Sequence, residues 1–177
     1  MKAGNPRVLH SGAMTLPPVG VLNQMKWESA AAEDLGIPWE VRLYCLQCPE
    51  DYAGFTVIDS SISWSSNNSL FEKVRQWYRF QTNYYRWLSV QKEKFDILLL
   101  RYNVHDPFQY WFLRQCDMPV YLVHHTLEVP ELRASKNTLG FVRAYAERLL
   151  GRASLKVAKG VVGVTPEVLA YERQRSG

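Results

Sequence analysis

The chain has 177 residues, 47% of them hydrophobic, and a net charge of +4 from 21 Lys and Arg against 17 Asp and Glu. That length buries one good core but is small for two domains, and the composition excludes a disordered chain. The modest positive charge does not demand nucleic acid, and it suits an anionic ligand or an acidic membrane surface.

Residues 7 to 11 read as a first strand, followed by a turn-rich stretch from Ser11 to Gly20. A helix then runs to about Leu35, with Val21, Met25, Ala32 and Leu35 at helical spacing and Gly36 as its stop. Trp39 to Leu46 alternates as a second strand, and Phe55 to Ile58 is a short third one. Residues 59 to 69 are rich in Ser and Asn and read as an exposed loop near the strand ends.

Leu70 to Lys94 carries the longest helical pattern, with Leu70, Val74, Trp77, Gln81, Tyr84 and Leu88 along one stripe. Arg75, Arg79 and Arg86 alternate there with aromatic residues. The pattern suits a helix packed on a sheet with solvated arginines, or a membrane-surface or partner helix. A strand over 96–101, a helix from about Pro107 to Gln115 and a strand over 120–123 follow. The next helix spans about Thr138 to Lys159, with Val142, Ala146, Leu149 and Ala153 inward. Val161 to Val164 forms a last strand, and Thr165-Pro166-Glu167 opens a final helix with a capping Thr and Pro at the first helical position.

Strands alternating with helices predict a single α/β domain over 1–177, a Rossmann-like doubly wound parallel sheet of about six or seven strands. Such sheets bind ligands beyond the carboxyl ends of their strands. His10, His105, His124 and His125 are all expected at those ends. Adjacent strand residues face opposite ways, so only one of His124 and His125 lines a cleft. Its imidazole suits a hydrogen bond to a polar ligand, or general-base work. With Glu128 or His105 the pair also offers metal ligands, although no ligand spacing enforces a site and none is expected.

The phosphate-cradling Gly-x-x-x-x-Gly-Lys-Ser/Thr loop, the Gly-x-Gly-x-x-Gly fingerprint and the Gly-x-Ser-x-Gly elbow are all missing. Cys45 and Cys48 form a Cys-x-x-Cys motif, but a zinc site lacks its second pair, and Glu50 and Asp51 would raise rather than lower a thiol pKa. With Cys116 these are the three cysteines, which fit a reducing compartment. No apolar run approaches the roughly 18 to 20 residues of a membrane span. No hydrophobic leader precedes the first strand. A cytoplasmic protein, or one peripheral to the inner face of the cell membrane, is expected.

The Pro- and Gly-bearing loop ending at Gly20, the strand Phe95-Asp96-Ile97-Leu98-Leu99-Leu100, the segment Pro119 to Thr126 and the segment Ala158 to Glu167 together resemble the amino-terminal domain of family-four glycosyltransferases. The resemblance spans nearly the whole chain through the order and spacing of these pieces. It implies the acceptor-side half of a retaining, two-Rossmann-domain enzyme. The donor would be a nucleotide-diphosphate sugar, the acceptor a saccharide or lipid-linked sugar, with no metal and no other cofactor. It implies that His125 contacts the donor sugar near the reacting centre, with Thr126 beside it, and that the backbone at Gly20 approaches the donor phosphates. Arg101, His105, Asp106 and Glu128 would line the acceptor side.

Two departures stand out. Pro17-Pro18 replaces the family's paired glycines, and the sequence stops at Gly177, where the family continues into its donor domain. The half-enzyme is therefore expected to be inert alone, because the groups that stabilise the leaving diphosphate belong to the other half. Alternatives from other classes are a stand-alone binding or sensing domain of flavodoxin-like topology and a thioredoxin-like oxidoreductase.

Overall fold

A computed structural model describes residues 5–46, 55–62, 67–134 and 138–177. Six strands, in the order β3-β2-β1-β4-β5-β6, and six helices make a Rossmann-like α/β fold among these residues. Residues 1–98 and 99–177 form two compact units, taken here one at a time.

In the first unit, β1 (Val8–Met14) pairs in parallel with β2 (Trp39–Cys45), and β2 pairs in parallel with β3 (Thr56–Asp59). Helix α1 (Val19–Asp34) sets Val21, Leu22 and Met25 against Val41, Leu43 and Cys45. Alternation along β2 turns Arg42 and Tyr44 to the other face. There they meet α2 (Leu70–Gln91): Tyr44 packs its ring 5.3 Å from Phe80 and 5.5 Å from Tyr84, and Arg42 donates to Gln91 Oε1 at 2.8 Å. Ser69 caps α2 reciprocally with Glu72. Gly36 ends α1 at φ +63°, a left-handed position that suits glycine.

Three expectations for this unit need correction. Leu35 is 70% exposed, because it lies just past the end of α1. Of the α2 stripe, Gln81, Tyr84 and Leu88 are buried, whereas Leu70, Val74 and Trp77 are exposed. A helix of 22 residues is about 33 Å long against about 23 Å for the seven residues of β2, so part of it has no strand beneath it. His10 is not at a strand end. Ser11, Gly12 and Ala13 are buried and extended, so β1 runs on to Met14 and His10 is its third residue, fully buried, 2.8 Å from Glu28. The Cys45/Cys48 motif lies partly outside the described residues; Cys45 itself is buried.

Strand β4 (Ile97–Arg101) leads into the second unit, where β5 (Val120–His124) pairs in parallel with β6 (Gly160–Gly163). Around them stand α3 (Pro107–Gln115), α4 (Glu128–Ala134), α5 (Thr138–Val157) and α6 (Pro166–Ser176). Thr165 caps α6 by accepting from Val168 N, as its sequence implies. A Cβ at Gly163 would lie 2.8 Å from Leu169 Cα, so the turn from β6 into α6 needs a glycine. The short α4 has no counterpart in the sequence reading.

Helix α5 reverses its expected orientation. Gly140, Ala144, Glu147, Gly151, Ser154 and Leu155 face inward, while Val142 and Leu149, both expected in the core, are 60% and 56% exposed. Leu139 and Tyr145 share that outward stripe, and the exposed Arg143, Arg148 and Arg152 flank it. Two residues of the inward face, Glu147 and Gly151, lie against the charged end of Arg175.

Candidate functional site

Arg175 belongs to a buried charged cluster within residues 99–177, built from four elements. His124, the last residue of β5, presents Nδ1 2.9 Å from Glu128 Oε1 on the first turn of α4 and 3.3 Å from Glu172 Oε1 on α6. Arg175, one turn beyond Glu172, reaches Glu128 Oε2 and Glu172 Oε1 at 3.3 Å each and Glu147 Oε1 on α5 at 2.8 Å. The Tyr102 hydroxyl donates to Glu147 Oε1 at 2.7 Å, and its ring stacks on His124 with centroids 4.1 Å apart. The backbone N–H of His105 donates to Glu147 Oε2. The Tyr171 hydroxyl accepts from Val129 N at 3.3 Å and lies 3.4 Å from Arg175 Nη1.

Burial and charge pull these groups in opposite directions. Burial disfavours the imidazolium of His124, but its bonds to Glu128 and Glu172 outweigh that and raise its pKa above 6.5. Burial opposes ionisation of Glu128 too, and the bond to His124 wins, holding that carboxyl below its usual value. For Glu147 and Glu172 burial prevails over their cationic neighbours and lifts both. Burial and the charge of Glu147 push the Tyr102 phenol up. The cluster therefore holds a polarised set of acids and bases in one dry place.

Beside it opens a cavity of about 470 Å³ lined by Val129, Arg133, Arg148, Arg152, Tyr171, Gln174 and Arg175. Three of these arginines, Arg133, Arg148 and Arg152, are not tied up in the buried cluster as Arg175 is, and a hollow bordered by them suits an anionic group.

The residues expected from sequence separate into four settings. His125, half-buried, is the first residue after β5, and Thr126 next to it is exposed. Arg101 and His105 are half-buried at and beyond the end of β4. Burial lowers both pKa values, with Arg143 adding to the effect on His105, whose φ is +47°. Asp106 and Glu128, in contrast, are buried and engaged within the protein. Asp106 is the N-cap of α3, its Oδ1 accepting from Phe108 N at 2.8 Å. Asp106→Ala is expected to cost about 1 kcal/mol of stability, as caps do; urea unfolding checks it, and an unchanged midpoint would show that the cap does not hold α3. Gly20 lies exposed in the first turn of α1, where a Cβ would meet nothing within 4 Å, so packing does not account for its glycine.

The sequence reading missed Glu147, Glu172, Arg175 and Tyr102, and assigned His124 a structural part. The only local signals were spacings of three or four residues: His124 with Glu128, Glu147 with Gly151, Glu172 with Arg175.

Among the described residues no helix is long and apolar enough to cross a membrane. The chain matches no family model, and no curated protein matches it. Among solved structures it is similar to a sucrose-phosphate synthase from Thermosynechococcus elongatus, with a TM-score of 0.55 and 15% identity over 95% of this chain and 45% of that one. It is also similar to TubZ of Clostridium botulinum phage c-st, with a TM-score of 0.53 and 7% identity over 96% of this chain and 56% of that one. A tail-truncated form of TubZ gives 0.51 at 6% identity, over 96% and 58%. The chain thus spans about half the length of each structure it resembles. At these identities the likeness is one of fold, a Rossmann-like α/β arrangement shared with part of a larger protein in each case.

Proposed function

We propose that this chain is the acceptor-side half of a retaining glycosyltransferase that moves a sugar from a nucleotide-diphosphate sugar to a saccharide or lipid-linked acceptor. The observation that carries the reading is the likeness, over 95% of the chain, to part of an enzyme named for making sucrose phosphate. The ordered pieces from Phe95 to Glu167 that resemble family-four enzymes point the same way. In this reading His125 contacts the donor sugar, with Thr126 beside it, and Arg101 and His105 face the acceptor. The arginine-lined cavity supports an acidic or phosphorylated group on the acceptor. The outward stripe of α5, apolar with flanking arginines, supports a lipid-linked acceptor met at an anionic membrane surface.

The test is transfer of a radiolabelled sugar from UDP-, GDP- and ADP-linked donors by the full gene product. Transfer that falls at least about tenfold in His125→Ala, with circular dichroism unchanged, is the expected result. Absence of transfer from every donor, or full activity in His125→Ala, overturns the assignment.

A further inference from the structure

We propose that His124 Nδ1, Glu128 Oε1 and a carboxylate oxygen of Glu172 form a binding site for one divalent transition-metal cation of the zinc or manganese type. All three side chains are almost wholly buried, and their ligand atoms lie within 4.8 Å of one another. Glu172 Oε2 has no hydrogen-bond partner although the side chain is fully buried, and Oε1 meets His124 Nδ1 and Arg175 Nη1 only at a long 3.3 Å each. A buried carboxylate so loosely satisfied is costly unless a further cation engages it.

Distances and charge agree with a metal. Ligand atoms about 2.0 to 2.1 Å from a cation stand roughly 2.9 to 3.4 Å apart at the edges of an octahedron or tetrahedron. Nδ1 lies 2.9 Å from Glu128 Oε1 and 3.3 Å from Glu172 Oε1. Fully ionised, Glu128, Glu147 and Glu172 would set three negative charges against the single guanidinium of Arg175, and a divalent cation taking the place of the His124 proton would cancel the remaining two. One imidazole nitrogen with two carboxylates is a donor set for borderline ions rather than for calcium. Outside the ligands, Arg175 bonds Glu128 Oε2, and the Tyr102 ring fixes the plane of His124. The ion would fasten β5, α4 and α6 together. Its presence is independent of sugar transfer, so a metal-binding chain without transferase activity sinks only the earlier reading.

The experiment uses the chelator-treated chain, reloaded separately with Zn2+, Mn2+ and Co2+ and assayed for metal content after gel filtration. About one equivalent of Zn2+ or Mn2+ retained per chain is expected, with a higher melting temperature, and affinity at least about 100-fold weaker in Glu172→Gln and His124→Gln. X-ray absorption of the Co2+-loaded wild type, which needs no variant to fold, should show one nitrogen among its ligands. Only trace retention by the wild type overturns the proposal and means that protons balance the cluster instead. Retention unchanged in both variants, or an all-oxygen cobalt shell, overturns it equally.

Discussion

Arg175→Met is expected to cost about 3 to 5 kcal/mol of folding stability near neutral pH, among the largest effects of any single substitution in residues 99–177. Arg175 touches three buried carboxylates, and its own side chain is only 11% exposed. Removing it strands those acids without an equivalent cation, whereas methionine keeps most of the volume. The loss should shrink as the pH falls. Glu147 and Glu172 already titrate above their ordinary value because burial disfavours their charge, and Arg175 is among the groups holding them down. A carboxyl whose folded pKa is raised binds protons more readily in the folded state, so it contributes stability below its unfolded value that disappears as pH rises through the folded one. The variant should therefore be weakest above neutrality and recover toward about pH 5. Urea unfolding of chelator-treated protein across that range checks it. A deficit that stays constant with pH would mean that the carboxylates do not share the charge.

Gly151→Ala should destabilise by about 3 kcal/mol despite lying inside a helix, where alanine is ordinarily better by about 1 kcal/mol. A Cβ at this position would collide with Arg175 Nη2 and Glu147 Oε1 and would come within 2.9 Å of Tyr102 Oη. Those atoms are the tips of flexible side chains, which on an open surface would swing aside. Here Glu147 is bonded to both of the others, at 2.8 and 2.7 Å, and its side chain is fully buried. Any retreat breaks bonds that burial makes costly to lose. Gly20→Ala is the control, since nothing lies within 4 Å of its Cβ. Equal melting temperatures for the two variants would show that the cluster yields freely, contrary to expectation.

Periodicity made most of the fold legible in the sequence. β2, α3 and the start of α6 lie where alternation, a Pro-led helix and a Thr cap place them. It failed where burial is not apolar. The inner face of α5 is glycine, alanine, serine and glutamate with only Leu155 as a large apolar residue, so the hydrophobic stripe pointed to the wrong side. Helix α4 is too short to show a periodic stripe, and its Pro130, at the third helical position, lies in the first turn, where a missing N–H costs little. The site was half legible. The end of β5 was marked by His124 and His125, but the partners of His124 come from positions 128 and 172, and their second neighbour from 175. A distance of about fifty residues along the chain leaves no local pattern to read.

The late position of Arg175 bears on how residues 99–177 assemble during synthesis. The ribosome delivers Glu128 first, then Glu147, then Glu172, and only afterwards the guanidinium that joins all three. Until that last turn of α6 emerges, the nascent acids have only His124, beside Glu128 and Glu172, as a cation within the cluster, and Glu147 must stay hydrated or protonated. Burial of this interior is thereby tied to completion of α6, so that the end of the segment licenses the closing of its middle.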